Sequence, residues 1–170
     1  MRTLPNPYPA KGSWNKITDF AFVGDLVVKR FSEALRIRHG SDLETDAEFV
    51  VCEPYQISYR LDRGEQRTVT VEKGFLSDGV SVLGNNERTR KYLEASIVHD
   101  YLYVAWQFLE TPHERRPRKW DQKFADKLFH IALLKSPKVT PDEAWFIYRA
   151  VKSFGWSTYR EKDPDSFVSL

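Results

Sequence analysis

Apolar and polar positions change their period part-way along the chain, and that change divides it into two halves. Phe20-Ala21-Phe22-Val23 and Leu26-Val27-Val28 are short, strongly apolar runs of strand composition. Phe31-Ser32-Glu33-Ala34-Leu35 has a more helical composition, but residues 20–38 as a whole read as strand. Phe49-Val50-Val51 predicts a further short strand, after a polar loop from His39 to Asp46. Tyr55, Ile57, Tyr59 and Leu61 then alternate with polar neighbours, and Val69 and Val71 do so after the turn formers Asp62-Arg63-Gly64. Period two around a turn predicts a β-hairpin over 55–72, which Gly74 ends.

Beyond residue 88 the spacing becomes helical. Tyr92, Ala95, Ser96, His99, Tyr103 and Trp106 fall on one stripe, with Leu93, Ile97, Val104 and Phe108 on the next, so the first helix is expected to be buried. Thr111-Pro112-His113-Glu114-Arg115-Arg116-Pro117 breaks it. A second helix opens at Pro117, is expected to turn Trp120, Phe124, Leu128, Ile131 and Leu134 inward, and stops before Ser136-Pro137. Thr140-Pro141-Asp142-Glu143 combines a cap, a proline at the first helical position and a glutamate three residues after the cap. It opens a third helix, for which Gly155 reads as the C-terminal stop. The expectation is an α+β fold in one domain over 1–170: a proline-rich arm at 1–13 acting as a peripheral strap, an antiparallel sheet over about 20–75, and three helices over about 88–156.

Composition narrows the classes. A length of 170 residues supports one core without staples, and aromatics at 14% can fill it. A formal charge of +2 gives no overall argument for nucleic acid. The single cysteine, Cys52, excludes an internal disulfide and any multi-cysteine metal site, and it reads as core. No apolar run resembles a signal peptide or reaches the length of a transmembrane segment, so the chain reads as soluble.

Chemistry is concentrated in two segments. Ala95-Ser96-Ile97-Val98-His99-Asp100-Tyr101-Leu102-Tyr103 puts an imidazole and a carboxylate side by side in an apolar helix, with His99 and Tyr103 four apart on one face. Gly74-Phe75-Leu76-Ser77-Asp78-Gly79-Val80-Ser81 flanks a carboxylate with glycines at the end of a strand. Asp126 lies close to the apolar arc of the second helix. Other groupings are weaker. His39, His113 and His130 have no metal-ligand spacing; Arg115, Arg116, Arg118, Lys119 and Lys123 around Trp120 read as a solvated face; and Ser77 and Ser81 fit no nucleophile elbow.

The blocks 74–81 and 99–103, together with Ala125-Asp126-Lys127-Leu128-Phe129 and Ala150-Val151-Lys152-Ser153-Phe154-Gly155, resemble the ordered signatures of a family of unknown function widespread in bacteriophages and prophages. The likeness covers roughly residues 48–156. That family usually has Thr where Ser77 stands and a proline after the serine matched by Ser81; Asp78 and Ser81 are kept. The resemblance implies phage origin, a place in the host cytoplasm or the virion, and partners among other phage proteins or copies of the chain.

His99-Asp100-x-x-Tyr103 is also similar to the active-site helix of phospholipase A2 enzymes, although their cysteines and dense glycine loop are missing here. That second likeness implies a catalytic group of His99 as general base, Asp126 as its orienter and Tyr103 one turn on, with Asp100 and Asp78 as ligands of Ca2+. The same residues fit a purely structural network that pins helices to the sheet. Two functional readings therefore stand: first a virion-associated or assembly component, and second a small metal-assisted hydrolase acting on lipid or envelope material.

Overall fold

The computed structural model describes residues 2–39, 45–84 and 86–170, the side chain of Val82 aside. Of the loop expected at 39–46, residues 40–44 lie outside the described part. The fold is α+β, with antiparallel sheets in the N-terminal half and helices in the C-terminal half.

Among the described residues six strands form two three-stranded sheets. The first orders β1 (Thr18–Val23), β4 (Tyr55–Arg60) and β5 (Gln66–Val71); the second orders β2 (Val28–Arg30), β3 (Phe49–Val51) and β6 (Leu76–Ser77). The hairpin at 55–72 forms as the alternation requires, Ile57 opposite Val69 and Tyr55 opposite Val71, all four buried. β6 is a separate short strand, Phe49 facing Ser77 and Val50 facing Leu76. Residues 20–38 are only partly strand. After β1 and β2 the chain turns into a short helix, α1 (Glu33–His39), with Glu33 in its first turn and Arg36, Arg38 and His39 in its last, charges that suit the helix dipole.

The three predicted helices are α2 (Leu93–Val104), α3 (Lys119–Lys135) and α4 (Pro141–Arg160). α2 is buried nearly all round, packed between β5 and β6 on one side and α3 and α4 on the other. Trp14 and Tyr59 stack against Phe124 of α3, at 5.9 and 5.8 Å between ring centroids, and so hold the first sheet to the helices. The expected cap of α4 is complete: Glu143 N–H donates to Thr140 Oγ1 at 3.3 Å and Thr140 N–H donates to Glu143 Oε2 at 2.8 Å. Lys91 adds an ion pair to Glu143 at 2.7 Å, and these bonds hold the Glu143 carboxyl down at about 2.

Three expectations need correction. Leu134 does not point inward; it is 45% exposed, and Ala125, Phe129, Ala132 and Leu133 complete the buried arc instead. The continuous apolar run Ile131–Leu134 left that face ambiguous, and packing on α2 selects the arc through Leu128 and Leu133. Gly155 does not stop α4, which continues to Arg160 with Gly155 buried in its interior. Cys52 is half-buried and follows β3 rather than lying in the core.

The proline-rich arm is a strap anchored from inside. Leu4 exchanges backbone hydrogen bonds with Phe108 and Glu110, at 2.7 and 3.0 Å, and is fully buried. The buried Tyr8 hydroxyl donates to the Leu102 carbonyl of α2. The apolar side chains of the arm are thus used within their own fold. At the other end, the tail returns to the sheet through Val168 N–H to Gly74 C=O at 2.9 Å. Gly74 has φ +85°, and a Cβ there would collide with the Val168 carbonyl, so glycine is required at this crossing.

Candidate functional site

Asp126, on the inner face of α3, is the centre of the site and is almost fully buried. Its Oδ1 accepts from the Tyr103 hydroxyl at 2.5 Å and lies 3.1 Å from His99 Nε2, while its Oδ2 accepts from the Gln122 side-chain amide. Because the carboxylate is an acceptor only, the His99 nitrogen facing it carries the proton, and the free lone pair of a neutral ring is on Nδ1. The ring is clamped by Tyr103 and Phe129, with centroids 4.1 and 4.6 Å away. Helical spacing builds this: His99 and Tyr103 are four apart on α2, Gln122 and Asp126 four apart on α3, and the two faces meet.

Nδ1 faces a second carboxylate, that of Asp100 on α2 itself. It is 4.0 Å from Asp100 Oδ1, an ion-pair distance across a gap and too long for a hydrogen bond. Asp100 Oδ2 accepts from Ser77 Oγ at 2.5 Å, and Ser77 Oγ in turn accepts from Gly79 N–H at 2.9 Å. Asp78 interacts with Asp100 and with Ser81. The cluster is therefore graded: the side chain of Asp126 is 3% exposed, that of His99 8%, and that of Asp100 25%.

Electrostatics follow from two carboxylates beside the imidazole, Asp126 and Asp100, and a third, Asp78, beside Asp100. Burial first, and the charge of Asp100 second, push Asp78 from 3.8 to about 7, with Ser81 pulling back. Burial taken alone would lower His99, but Asp100 and Asp126 together outweigh it and hold the ring above its ordinary 6.5. Tyr103 is driven well above its normal range, by burial and then by Asp126, and so stays a donor.

All five residues expected to matter are thus brought together: His99, Tyr103 and Asp126 in direct contact, with Asp100 and Asp78 beside them. Three contributors were not anticipated. Ser77 holds Asp100, Gln122 holds Asp126, and Gly155 makes room for both helices, since a Cβ there would lie 2.5 Å from Tyr103 Oη, 2.9 Å from Gln122 Nε2 and 3.5 Å from Asp126 Oδ2. Gln122 could have been found from its position four residues before Asp126, and Gly155 from being a glycine within a long amphipathic pattern.

Asp78 and Asp100 offer the hard oxygen donors that calcium prefers, and their mutual repulsion is what a cation would relieve. Among the described residues no three His, Cys, Asp or Glu side chains converge as a metal cluster, so further ligands would have to be hydroxyl or backbone oxygens. Two surface cavities, of about 410 and 390 Å3, are lined by residues such as Arg2, Leu4 and Glu72, or Lys29, Arg38 and Cys52, and neither reaches His99. No described helix is long and apolar enough to cross a membrane.

A family model described as "Protein of unknown function (DUF1353)" matches residues 50–151, well over half of the chain, and spans every residue of the cluster from Ser77 to Asp126. Neither the curated proteins nor the solved structures contain a match.

Two predictions arise from this geometry. Gly155→Ala, although alanine is the better helix former by roughly 1 kcal/mol, overpacks the Tyr103–Gln122–Asp126 contact and destabilises the fold by about 1–3 kcal/mol in denaturant unfolding; a neutral or stabilising result would contradict the packing. For pH, the folded state holds the Asp78 proton more tightly than the unfolded chain, whose value is near 3.8. The resulting stabilisation is full below that value and is lost as pH rises through about 7. His99 acts in the same sense, contributing below 6.5 and losing that contribution above its raised folded value. The melting temperature therefore falls from about pH 5 to about pH 8, and Asp78→Asn flattens part of that fall. A variant curve parallel to the wild type would remove Asp78 as a source of the slope.

Proposed function

We propose, on the premise that the chain belongs to the DUF1353 family of proteins of unknown function, that its matched segment carries a metal-assisted ester hydrolase site with His99 as general base. The observation that supports this reading is the orientation of His99: Asp126, itself fixed by Tyr103 and Gln122, holds Nε2 and aims Nδ1 at Asp100, which is more exposed than either His99 or Asp126. A base needs this arrangement, with one nitrogen committed and the other directed to the side from which substrate comes.

In the reaction, His99 Nδ1 takes a proton from a water molecule as the water oxygen attacks the ester carbonyl. The acyl–oxygen bond then breaks, the alcohol leaves with the proton returned by Nδ1, and the products are a carboxylic acid and an alcohol. Asp126 stabilises the imidazolium formed between the two transfers. Asp100 and Asp78 would hold a hard cation, which when bound polarises the carbonyl oxygen. The neutral form of His99 is the one that accepts the proton, so the rate rises with pH as its ring, held above the ordinary 6.5, loses its charge.

A bacteriophage or prophage origin belongs to the same proposal; it is supported by the likeness of the four signature blocks. A second reading, an assembly component in which the network only pins α2 to α3, is favoured by the burial of His99, which is 6% exposed.

Incubating the full chain with phospholipid vesicles, with calcium and with a chelator, separates the two. The hydrolase reading predicts calcium-dependent fatty-acid release that His99→Ala lowers by about 100-fold or more. No release by folded protein, or release untouched by His99→Ala, would overturn it. Detection of the protein by mass spectrometry in purified particles, without release, would favour the assembly reading.

A further inference from the structure

From Ala144 to Arg160 the sequence of α4 contains no acidic residue, while Arg149, Lys152 and Arg160 are basic. On α3 both acids, Asp121 and Asp126, are buried, which leaves Lys119, Lys123 and Lys135 as its exposed charges. The near-neutral chain thus presents a positive helical face. That face also carries two large exposed rings, Trp145 at 55% and Phe146 at 64%, whereas Phe154, nine residues beyond Trp145, points half a turn away from it. Cations lie over neighbouring rings, Arg149 5.3 Å from Trp145, Lys152 5.4 Å from Tyr148 and Lys119 4.7 Å from Trp156. Buried Ala144, Ile147, Gly155 and Tyr159 already satisfy the inner face of α4, so these outer rings do nothing for the core.

We propose that the outer face of α4, with Lys119 of α3, docks on an anionic phospholipid surface. Trp145 and Phe146 enter the boundary between headgroups and acyl chains, and Arg149, Lys152 and Lys119 sit at the level of the phosphates. Charge complementarity selects this occupant over a second copy of the chain, whose matching cations would face these. Docking does not require His99 and is independent of the hydrolase reading.

The test is co-sedimentation of the full chain with vesicles of phosphatidylcholine alone and of phosphatidylcholine mixed with phosphatidylglycerol. Binding is expected only to the mixed vesicles, weakening as salt is raised. The double variants Trp145→Ser/Phe146→Ser and Arg149→Glu/Lys152→Glu, at exposed positions and with unchanged melting temperatures, should each reduce it at least about tenfold. His99→Ala should bind as the parent does, so loss of hydrolysis with binding intact condemns the catalytic proposal alone. Equal binding by parent and patch variants would overturn the docking surface. So would patch-dependent binding of a single-stranded oligonucleotide without vesicle binding, or a patch-dependent shift from dimer to monomer without vesicle binding.

Discussion

A carboxylate buried between two helices is the constraint on which the rest of this structure depends. Taking Asp126 out of water costs several kcal/mol unless its oxygens are fully engaged, and here Tyr103, His99 and Gln122 engage them. Each of those partners imposes something further. Tyr103 and His99 fix the rotation of α2 against α3, Gln122 fixes the rotamer of the carboxylate, and the close approach of α4 requires Gly155. The helical half is thus organised around a polar centre within an otherwise aromatic core, and the sheet meets it through Ser77 and Asp100. Loss of any one partner leaves a buried charge underused, so this cluster is more sensitive than an apolar contact of equal area.

The cluster is also unbalanced. Two acids, Asp126 and Asp100, face the imidazole and a third, Asp78, faces Asp100, so negative charge builds up between Asp78 and Asp100, where Asp78 keeps a proton up to about pH 7. A proton and a hard cation are alternative answers to that excess. This links the stability of the folded chain near neutrality to the chemistry proposed for the site: the groups that make the apo fold weaken with rising pH are those that would hold a cation and free the base. The grading of exposure from Asp126 to Asp100 gives the same polarity, an interior that orients the ring and an outer edge closer to solvent.

Much of this was legible in the sequence because the relevant information is local. Period two at 55–72, the cap at Thr140–Glu143 and the four-residue spacing of His99 and Tyr103 each follow from backbone geometry within a few residues. The meeting of His99 with Asp126 could be expected because both lie among apolar neighbours, where a charge needs a partner. The failures have a common cause in contacts between distant segments. Gly155 reads as a stop because glycine is a poor helix former, and only the Tyr103 hydroxyl from another helix reveals why it is needed inside one. The run Ile131-Ala132-Leu133-Leu134 leaves its inner face open until α2 is in place, and α1 was read as strand because the apolar runs before it dominated. Ser77 depended on which face of a two-residue strand looks towards α2, a matter of sheet register.

The account stands or falls on His99 being an oriented ring, held at Nε2 by Asp126 and raised by its two carboxylates. Nitrogen-15 NMR of the imidazole across a pH titration measures both properties in the wild type and in Asp126→Asn. The expected result is a neutral ring protonated at Nε2, with a pKa above 6.5 that falls when Asp126 is replaced by asparagine. A ring protonated at Nδ1, or a pKa unmoved by the substitution, would contradict it.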